Sequence, residues 1–583
     1  MRLPSIRWAI KWDPKLWPFL VIFLLALGMR LWDLEVRPIH YDESIHAQYS
    51  FQLFQGQGYR HDPMMHGPFK FLATAGIFHL LGDSDFTARL LPALLGSLLV
   101  VLPYLLRRQL GEKGALLTAG LLAFSPSFLY FSRFLRDDIL IAFWTLLLVA
   151  AIWRYWEEKR DRYLYLAAFA LVMAVTTMEA TLLLLPLFLL YLFFFSGKEL
   201  LTALRRRANF SSLSPPATLF LVLFTLALPQ YAAATSLLQG PLGITLASRT
   251  APEGAPVGVG LWVAGAIVLF LFLFSLAVGL RWSPRRWLVC AAIFYGIYIP
   301  LYSTFFANPL GLGTGVWGSL SYWLVQHGKN RLAQPWFYYP LLLSIYEFLP
   351  LLLGGAGFIY YLFRRSRFTG FLLYWAAATL TVFSYTGEKA PWLLLHPTLP
   401  LLVLAGKFGG ELWERRRSLP WAVGAVVFLL AFAFWVRVSW QASYAREDRP
   451  VELLVFAQGS WDNLRVLGEV RRLSSQGAGR LLIDPQVSWP WVWYLRHQKD
   501  VVYSASSPGP RDIVVVPSDQ EGAVDLAGHR KEKFAVLLWF PEGYKAWHAR
   551  ELPRIARWWW GYFAFRHSDP WWNSQGVAFF PRL

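Results

Sequence analysis

Apolar runs recur between Trp17 and Arg437. A run of about 20 apolar residues is long enough to cross a bilayer as a helix. Inside hydrocarbon the peptide groups must be satisfied within the chain, so such runs fold as packed helices. The chain therefore reads as a polytopic α-helical membrane protein with about thirteen transmembrane helices. They are expected near 17–33, 89–106, 114–131, 138–155, 163–178, 180–195, 216–232, 258–280, 287–305, 340–363, 369–385, 390–406 and 419–437. Composition agrees: of 583 residues, 56% are hydrophobic and 16% charged, against about 25% charged in a soluble domain. The first run is longer than a signal-peptide core and lacks a small-residue cleavage site, so it reads as a retained anchor.

The formal charge of +19 would suit nucleic acid, but the excess lies in short clusters between apolar runs, as membrane orientation signals do. One set of loops holds Arg2, Arg7, Lys11 and Lys15, then Arg107-Arg108, Arg154 to Arg162, and Arg205-Arg206-Arg207. It continues with Arg281 to Arg286, Arg364 to Arg367 and Arg415-Arg416-Arg417. That side carries about 25 basic residues against about 10 on the other. The N-terminus is expected in the cytoplasm, and an odd number of spans puts the C-terminal part outside the cell membrane. The lone Cys290 excludes an intrachain disulfide.

Two domains are expected: 1–437 in the membrane and 438–583 outside it. The outward parts are the loop 34–88, the loops 233–257 and 306–339, and the tail. The tail alternates short apolar strands (Arg480–Asp484, Asp512–Pro517, Phe534–Phe540) with helical stretches such as Ser460–Leu473, the pattern of a small α/β domain. Its tryptophans, including Trp558-Trp559-Trp560, suit membrane-interface and core packing better than sugar stacking.

Chemistry concentrates after the first span. The segment reads Arg37-Pro38-Ile39-His40-Tyr41-Asp42-Glu43-Ser44-Ile45-His46, followed by His61-Asp62-Pro63-Met64-Met65-His66. Asp42 and Glu43 fall near the outer membrane surface, where partial desolvation makes a carboxylate a better base. A solvated, helix-capping acidic pair is the plainer reading of the same residues. A second cluster, Arg133-Phe134-Leu135-Arg136-Asp137-Asp138, falls on the same side. Paired carboxylates beside arginines at a membrane edge suit either a bound cation, a phosphate on Arg136, or a self-neutralised cap. Glu179, Glu388, Lys389 and His396 lie close to apolar runs on that side, where a charge is a site candidate. Phosphate-loop, CxxC and GxSxG patterns are absent.

These residues carry a resemblance. His40–His46, Tyr59–Pro68, Gly82–Pro92, Ser132–Asp138 and Gly387–Gly406 occur in an order that resembles the lipid-linked-sugar glycosyltransferases of the GT-C fold. That group includes protein O-mannosyltransferases and bacterial aminoarabinose transferases. The chain looks closest to the prokaryotic branch of flippase-activity-associated membrane proteins.

The resemblance implies Asp42 as catalytic base, with Glu43 second, and Asp137 and Asp138 as a second acidic element. It implies Arg136 and Lys389, beside Glu388, near the donor phosphate. His40, His46, His61, His66, Arg89, Glu179 and His396 are substrate-binding candidates. No cofactor is required; a divalent cation, magnesium or manganese before zinc, is compatible with Asp42, Asp137, Asp138 and His66. The oligosaccharyltransferase Trp-Trp-Asp-Tyr-Gly signature is missing, which weighs against en-bloc transfer to asparagine.

The expected activity is sugar transfer from a polyprenyl-phosphate donor in the bilayer to an acceptor hydroxyl on a protein, lipid or glycan, with inversion. Nucleic acid is not an expected partner. A lipid-linked-sugar flippase or a non-catalytic partner of a glycan assembly machine are the other classes. The absence of a long internal repeat counts against inverted-repeat transporters.

Overall fold

The computed structural model describes residues 13–582 apart from 206–212, 251, 330–331, 416–418, 505–506, 525, 527 and 569. Arg2, Arg7, Lys11, Arg206, Arg207, Arg416 and Arg417 lie outside the described residues. All thirteen expected segments contain helix. Among the described residues, nine helices are long and apolar enough to cross a membrane, or eleven if two bent pairs each count as one span. The other two expected spans fall short for different reasons. Asp161–Val175 has only 15 residues, and Pro284–Tyr302 opens on Arg285-Arg286 and is rich in tyrosine. The break expected at Glu179 is present, between Asp161–Val175 and Ala180–Arg205. The chain is a multi-pass membrane protein.

The helix Asp138–Glu158 is the hub of the bundle, with nearly all of its side chains buried. Val259–Trp282 is peripheral and turns Trp262, Phe270, Leu273 and Phe274 outward, as a lipid-facing helix does. Hydrophobic burial does little to hold helices together in lipid, so close approach matters more. Glu112–Phe124 and Leu395–Glu414 cross at small residues. A Cβ on Gly410 would sit 2.4 Å from Gly114 Cα, and one on Gly406 would sit 1.9 Å from Thr118 Oγ1.

The two bent pairs are joined at their breaks. Glu112–Phe124 and Pro126–Ser132 meet at 57°, and Tyr338–Tyr346 and Phe348–Phe363 at 107°. Glu347, in the second break, accepts from Ser125 Oγ at 2.6 Å, Ser127 Oγ at 2.6 Å and Ser127 N at 3.0 Å in the first. The freed backbone and side-chain donors of one break are thus satisfied by the other. This fixes the short helix that runs into Arg133–Asp138.

After α1 (Trp17–Leu31) the chain makes two helices at one end of the bundle, α2 (Tyr41–Phe54) and α3 (Phe69–Leu81), and then enters the candidate span that begins with α4 (Asp85–Leu99). The C-terminal sheet domain rests on them. Its strands are β1 (Gln458–Gly459), β2 (Leu481–Ile483), β3 (Val501–Val502), β4 (Ile513–Pro517), β5 (Arg530–Trp539) and β6 (Trp572–Phe580). Their spatial order is β1-β5-β6-β4-β2-β3. β2 is parallel to β3 and β4, and the other pairs are antiparallel.

One face of the sheet packs on Trp461–Ser475 through Val466, Leu467, Val470 and Leu473 against Leu481, Ile483, Ile513 and Val515. The alternate residues Leu482, Val514, Val516, Val577 and Phe579 form the other layer, as the period of two requires. Strands β2, β4 and β5 fall where the sequence places them. β6 was missed because Asn573, Ser574, Gln575 and Gly576 interrupt its apolar pattern.

Candidate active site

The site begins at the N-terminus of α2. His40 caps it: Nδ1 accepts from Asp42 N at 2.9 Å, and Glu43 returns to accept from His40 N at 3.1 Å. With Nδ1 accepting, Nε2 carries the proton and donates to the carbonyl of Phe456. Burial pushes the imidazole down to about 4, against the pull of Asp42 and Glu43. The ring is therefore a neutral structural cap at ordinary pH.

The sheet domain holds this turn from the other side. Tyr41 N donates to Ala457 O at 3.2 Å, Ile39 N to Tyr494 Oη at 2.8 Å, and Gln458 Nε2 to Pro38 O at 2.7 Å. A Cβ on Gly459 would meet Ile39 O at 2.3 Å. Gly459→Ala must therefore displace the Ile39–Asp42 turn, at an overpacking cost of about 1–3 kcal/mol. The expected result is a lower melting temperature with the sheet domain still folded, read by thermal melting beside circular dichroism.

Glu43 is fully buried and saturated. Arg89 Nε and Nη2 reach its two oxygens at 2.8 and 2.9 Å, Arg37 Nη2 lies at 3.3 Å, and Leu135 N donates at 2.9 Å. Burial alone would raise this carboxyl, but the two guanidiniums outweigh it and hold it at about 2. Arg89 is thus the partner of Glu43 and faces no open space. His46 Nδ1 lies 3.0 Å from Leu135 O; burial takes its pKa well below the ordinary imidazole value. Two positions of α2 thereby fix the backbone of Leu135, next to Arg136.

Asp42 differs from Glu43. Its side chain is 25% exposed and pairs with Arg136 Nη1. The Arg136 guanidinium lies over the Trp392 ring at 3.9 Å and 3.7 Å from Asp138. Asp137 pairs with Lys70 Nζ at 2.5 Å, both side chains fully buried. His396 Nε2 is 3.5 Å from Asp138 and its ring stacks on Phe383. Asp137 Oδ1 and both Asp138 oxygens have no hydrogen-bond partner among the described residues. Buried acceptors of this kind suit ligand hydroxyls. Arg133, by contrast, serves the end of α1: its guanidinium donates to Asp33 O at 3.1 Å and pairs with Glu447 at 3.3 Å.

A second pair lies in the same region of the chain. Gly67 N and Phe69 N donate to Thr177 O and Thr176 O, both at 3.0 Å. That backbone clasp sets His66 Nδ1 2.8 Å from Glu179, with the His66 ring stacked on Trp323 at 5.3 Å. His61 bonds Thr314 at 2.9 Å; burial lowers its pKa to about 3. It lines a cavity of about 1410 Å³ between the 58–65 loop and the helices Val259–Trp282 and Pro284–Tyr302. The cavity is largely apolar and is offset from Asp42. Tyr59, on the cavity wall, packs its ring 5.0 Å from Phe71, the neighbour of Lys70. Lys389, its pKa lowered by burial, donates to Thr386 O at 2.7 Å within its own loop.

The sequence reading of a cation at Asp42, Asp137, Asp138 and His66 meets a different arrangement. Among the described residues no group of three or more His, Cys, Asp or Glu side chains is placed to hold a metal. The positive partners of Asp42 and Asp137 are Arg136 and Lys70, and His66 is engaged with Glu179. These residues do not fit a metal as they stand.

The residue that sequence reading missed is Lys70. Its signal was a lone lysine in the otherwise apolar α3, where a buried charge marks a site. Trp392, under Arg136, had no separable signal among so many aromatics.

Residues 65–223 match the family of dolichyl-phosphate-mannose-protein mannosyltransferases. No curated protein matches the chain significantly. The Archaeoglobus fulgidus oligosaccharyltransferase tethered to an acceptor peptide is similar at TM-score 0.54 and 14% identity, over 87% of this chain and 69% of that one. The archaeal oligosaccharyltransferase AglB from Archaeoglobus fulgidus, with an inhibitory peptide and a dolichol-phosphate, gives 0.51 and 15%, over 87% and 70%. ArnT from Cupriavidus metallidurans bound to undecaprenyl phosphate gives 0.48 and 15%, over 90% and 96%. The chain has the GT-C glycosyltransferase fold, with residues 65–223 carrying the match to the mannosyltransferase family.

Proposed function

We propose that this protein transfers a sugar from a polyprenyl-phosphate donor to an acceptor hydroxyl, on the non-cytoplasmic side of the membrane, with Asp42 as general base. The observation that carries this reading is the contrast within the acidic cluster. Glu43, Asp137 and Asp138 are fully buried, whereas Asp42 is partly exposed. Two further features support it: the family match and the fold shared with an oligosaccharyltransferase whose structure holds a dolichol-phosphate.

In the proposed step the acceptor O–H gives its proton to Asp42. The oxygen forms a bond to the anomeric carbon from the face opposite the phosphate. The carbon–oxygen bond to the carrier breaks, and its electron pair leaves with the lipid phosphate. Arg136 and Lys70 supply positive charge to that phosphate, preorganised in a site largely shielded from water. Binding of the phosphate draws Arg136 from Asp42 and frees the base. Asp138 holds Arg136 and His396 beside it, at 3.7 and 3.5 Å. Glu43 and Arg89 are assigned to architecture. The apolar cavity beside Tyr59 houses the carrier's prenyl chain; it follows Val259–Trp282 from Leu261 to Phe272, about 16 Å of helix.

The test uses sugar-labelled polyprenyl-phosphate hexose in proteoliposomes, with the membrane fraction as acceptor source. Labelled product and free polyprenyl phosphate are expected, with turnover unchanged by a chelator. Movement of intact donor without cleavage would identify a flippase instead.

Lys70 separates binding from folding. Lys70→Met leaves Asp137 buried and unpaired, at a cost of about 3–5 kcal/mol. Adding Asp137→Asn is expected to recover the thermal stability but leave donor KM raised. Recovery of both would reduce the pair to a structural one.

A further inference from the structure

The C-terminal helix Leu552–Phe565 has no part in the proposed reaction. Its inner face packs on the membrane bundle. Trp559 Nε1 donates to Ser344 Oγ at 2.9 Å. The Phe563 ring lies 5.2 Å from Phe348 and 5.3 Å from Phe434. Phe434 belongs to the last candidate span, Ala422–Ala445, and stands eleven residues before its end. Arg437 follows it by three residues, so Phe434 stands about one turn below the polar end of that span. The helix therefore lies beside apolar membrane structure, although it belongs to the sheet domain in sequence.

Its other face is uncovered. Trp560 is 59% exposed, with Arg554 and Arg557 exposed on the same side; Leu552 and Phe565, at the two ends of the helix, are 66% and 63% exposed. The helix contains no acidic residue. Arg554, Arg557 and Trp558 share a helical face and, with Trp547 and Gly543, line a pocket of about 560 Å³. Trp558 meets Trp547 edge to face at 4.9 Å, which gives the pocket a rigid aromatic wall. Glu551 pairs with Arg554 at 3.1 Å, but a surface pair of this kind binds weakly. Glu542, next to Gly543, is engaged by Lys545 and Gln334.

We propose that Leu552–Phe565 lies in the plane of the membrane surface and that its Arg554–Arg557 pocket binds the headgroup of an anionic phospholipid. Trp560 enters the acyl boundary while the arginines meet the phosphate, the division of labour of an interfacial helix. Because the helix is clamped to Ser344, Phe348 and Phe434, the lipid seats the sheet domain against the bilayer beside the site.

The experiment uses the full chain in nanodiscs of phosphatidylcholine with or without phosphatidylglycerol. Lipids that survive delipidation are counted by native mass spectrometry. Wild type is expected to retain phosphatidylglycerol over phosphatidylcholine. Arg554→Gln/Arg557→Gln is expected to lose that preference by roughly fivefold per arginine, with unchanged circular dichroism. Trp560→Ser is expected to lower retention of both lipids while leaving the charge preference. Equal retention of the two lipids by wild type overturns the proposal. So does competition by inorganic phosphate at equal strength, which would make the pocket a free-anion site. A dimer lost on Trp560→Ser would assign the face to a second copy and also overturn it. None of these readouts depends on sugar transfer.

Discussion

Asp42→Asn is expected to lower kcat for sugar transfer by roughly 10²- to 10⁴-fold, the usual worth of a general base, with little change in melting temperature. The reason for the small structural effect is local. Arg136, the partner of Asp42, keeps the Trp392 ring at 3.9 Å and Asp138 at 3.7 Å. Asparagine leaves the backbone N–H of residue 42 free to bond His40 Nδ1, so the cap of α2 survives. Asp42 itself is 25% exposed, and the buried Arg136 keeps Asp138 as a counter-charge. Donor KM is expected to stay near the wild-type value, because the phosphate contacts fall to Arg136 and Lys70. Single-turnover kinetics with labelled donor separates the two quantities. Full turnover by a folded Asp42→Asn protein would remove Asp42 as base.

The membrane architecture was legible because apolar runs of spanning length leave few alternatives. What the runs could not show was which spans bend. The break at Glu347 follows from Ser125, Ser127 and Glu347 bonding to each other, and those residues are far apart in the chain. The acidic cluster was legible as a set, since His40–Glu43 and Arg133–Asp138 face one end of the bundle. The division of labour inside it was not. Asp42 and Glu43 are adjacent and chemically alike in sequence. On a helix, neighbours point about 100° apart, so one turns toward Arg89 and the other toward Arg136.

The hidden half of the site comes from long-range pairing. Phe456 O, Ala457 O and Tyr494 Oη grip the His40 turn from a part of the chain that reads as a separate domain. Backbone carbonyls carry no sequence signature, and nothing local to Gly459 marks its approach to Ile39. Lys70 and Asp137 are similar: each is conspicuous alone, but only the fold pairs them.

Glu43→Ala is expected to destabilise the fold by about 3–5 kcal/mol, because it strands the buried Arg89 and Arg37 guanidiniums. Arg89 would lose two short bonds, at 2.8 and 2.9 Å. It would keep the carbonyls of Leu34 and Arg37, at 2.9 and 3.0 Å, and those carry no charge to offset its own. His40 N and Leu135 N would also lose their acceptor, so the segments bearing Asp42 and Arg136 would separate. Thermal melting in detergent measures the loss. The pH dependence gives a second signature. The folded carboxyl sits at about 2, below its ordinary value of 4.5, so Glu43 stabilises the fold fully above about pH 4.5 and loses this effect as pH falls toward 2. The stability gap between wild type and Glu43→Gln should therefore narrow on acidification through that window. Asp42→Asn should show no comparable gap at neutral pH. A protein in which Glu43→Gln melts normally yet fails to transfer sugar would reverse the two assignments, making Glu43 the chemical residue and Asp42 its support.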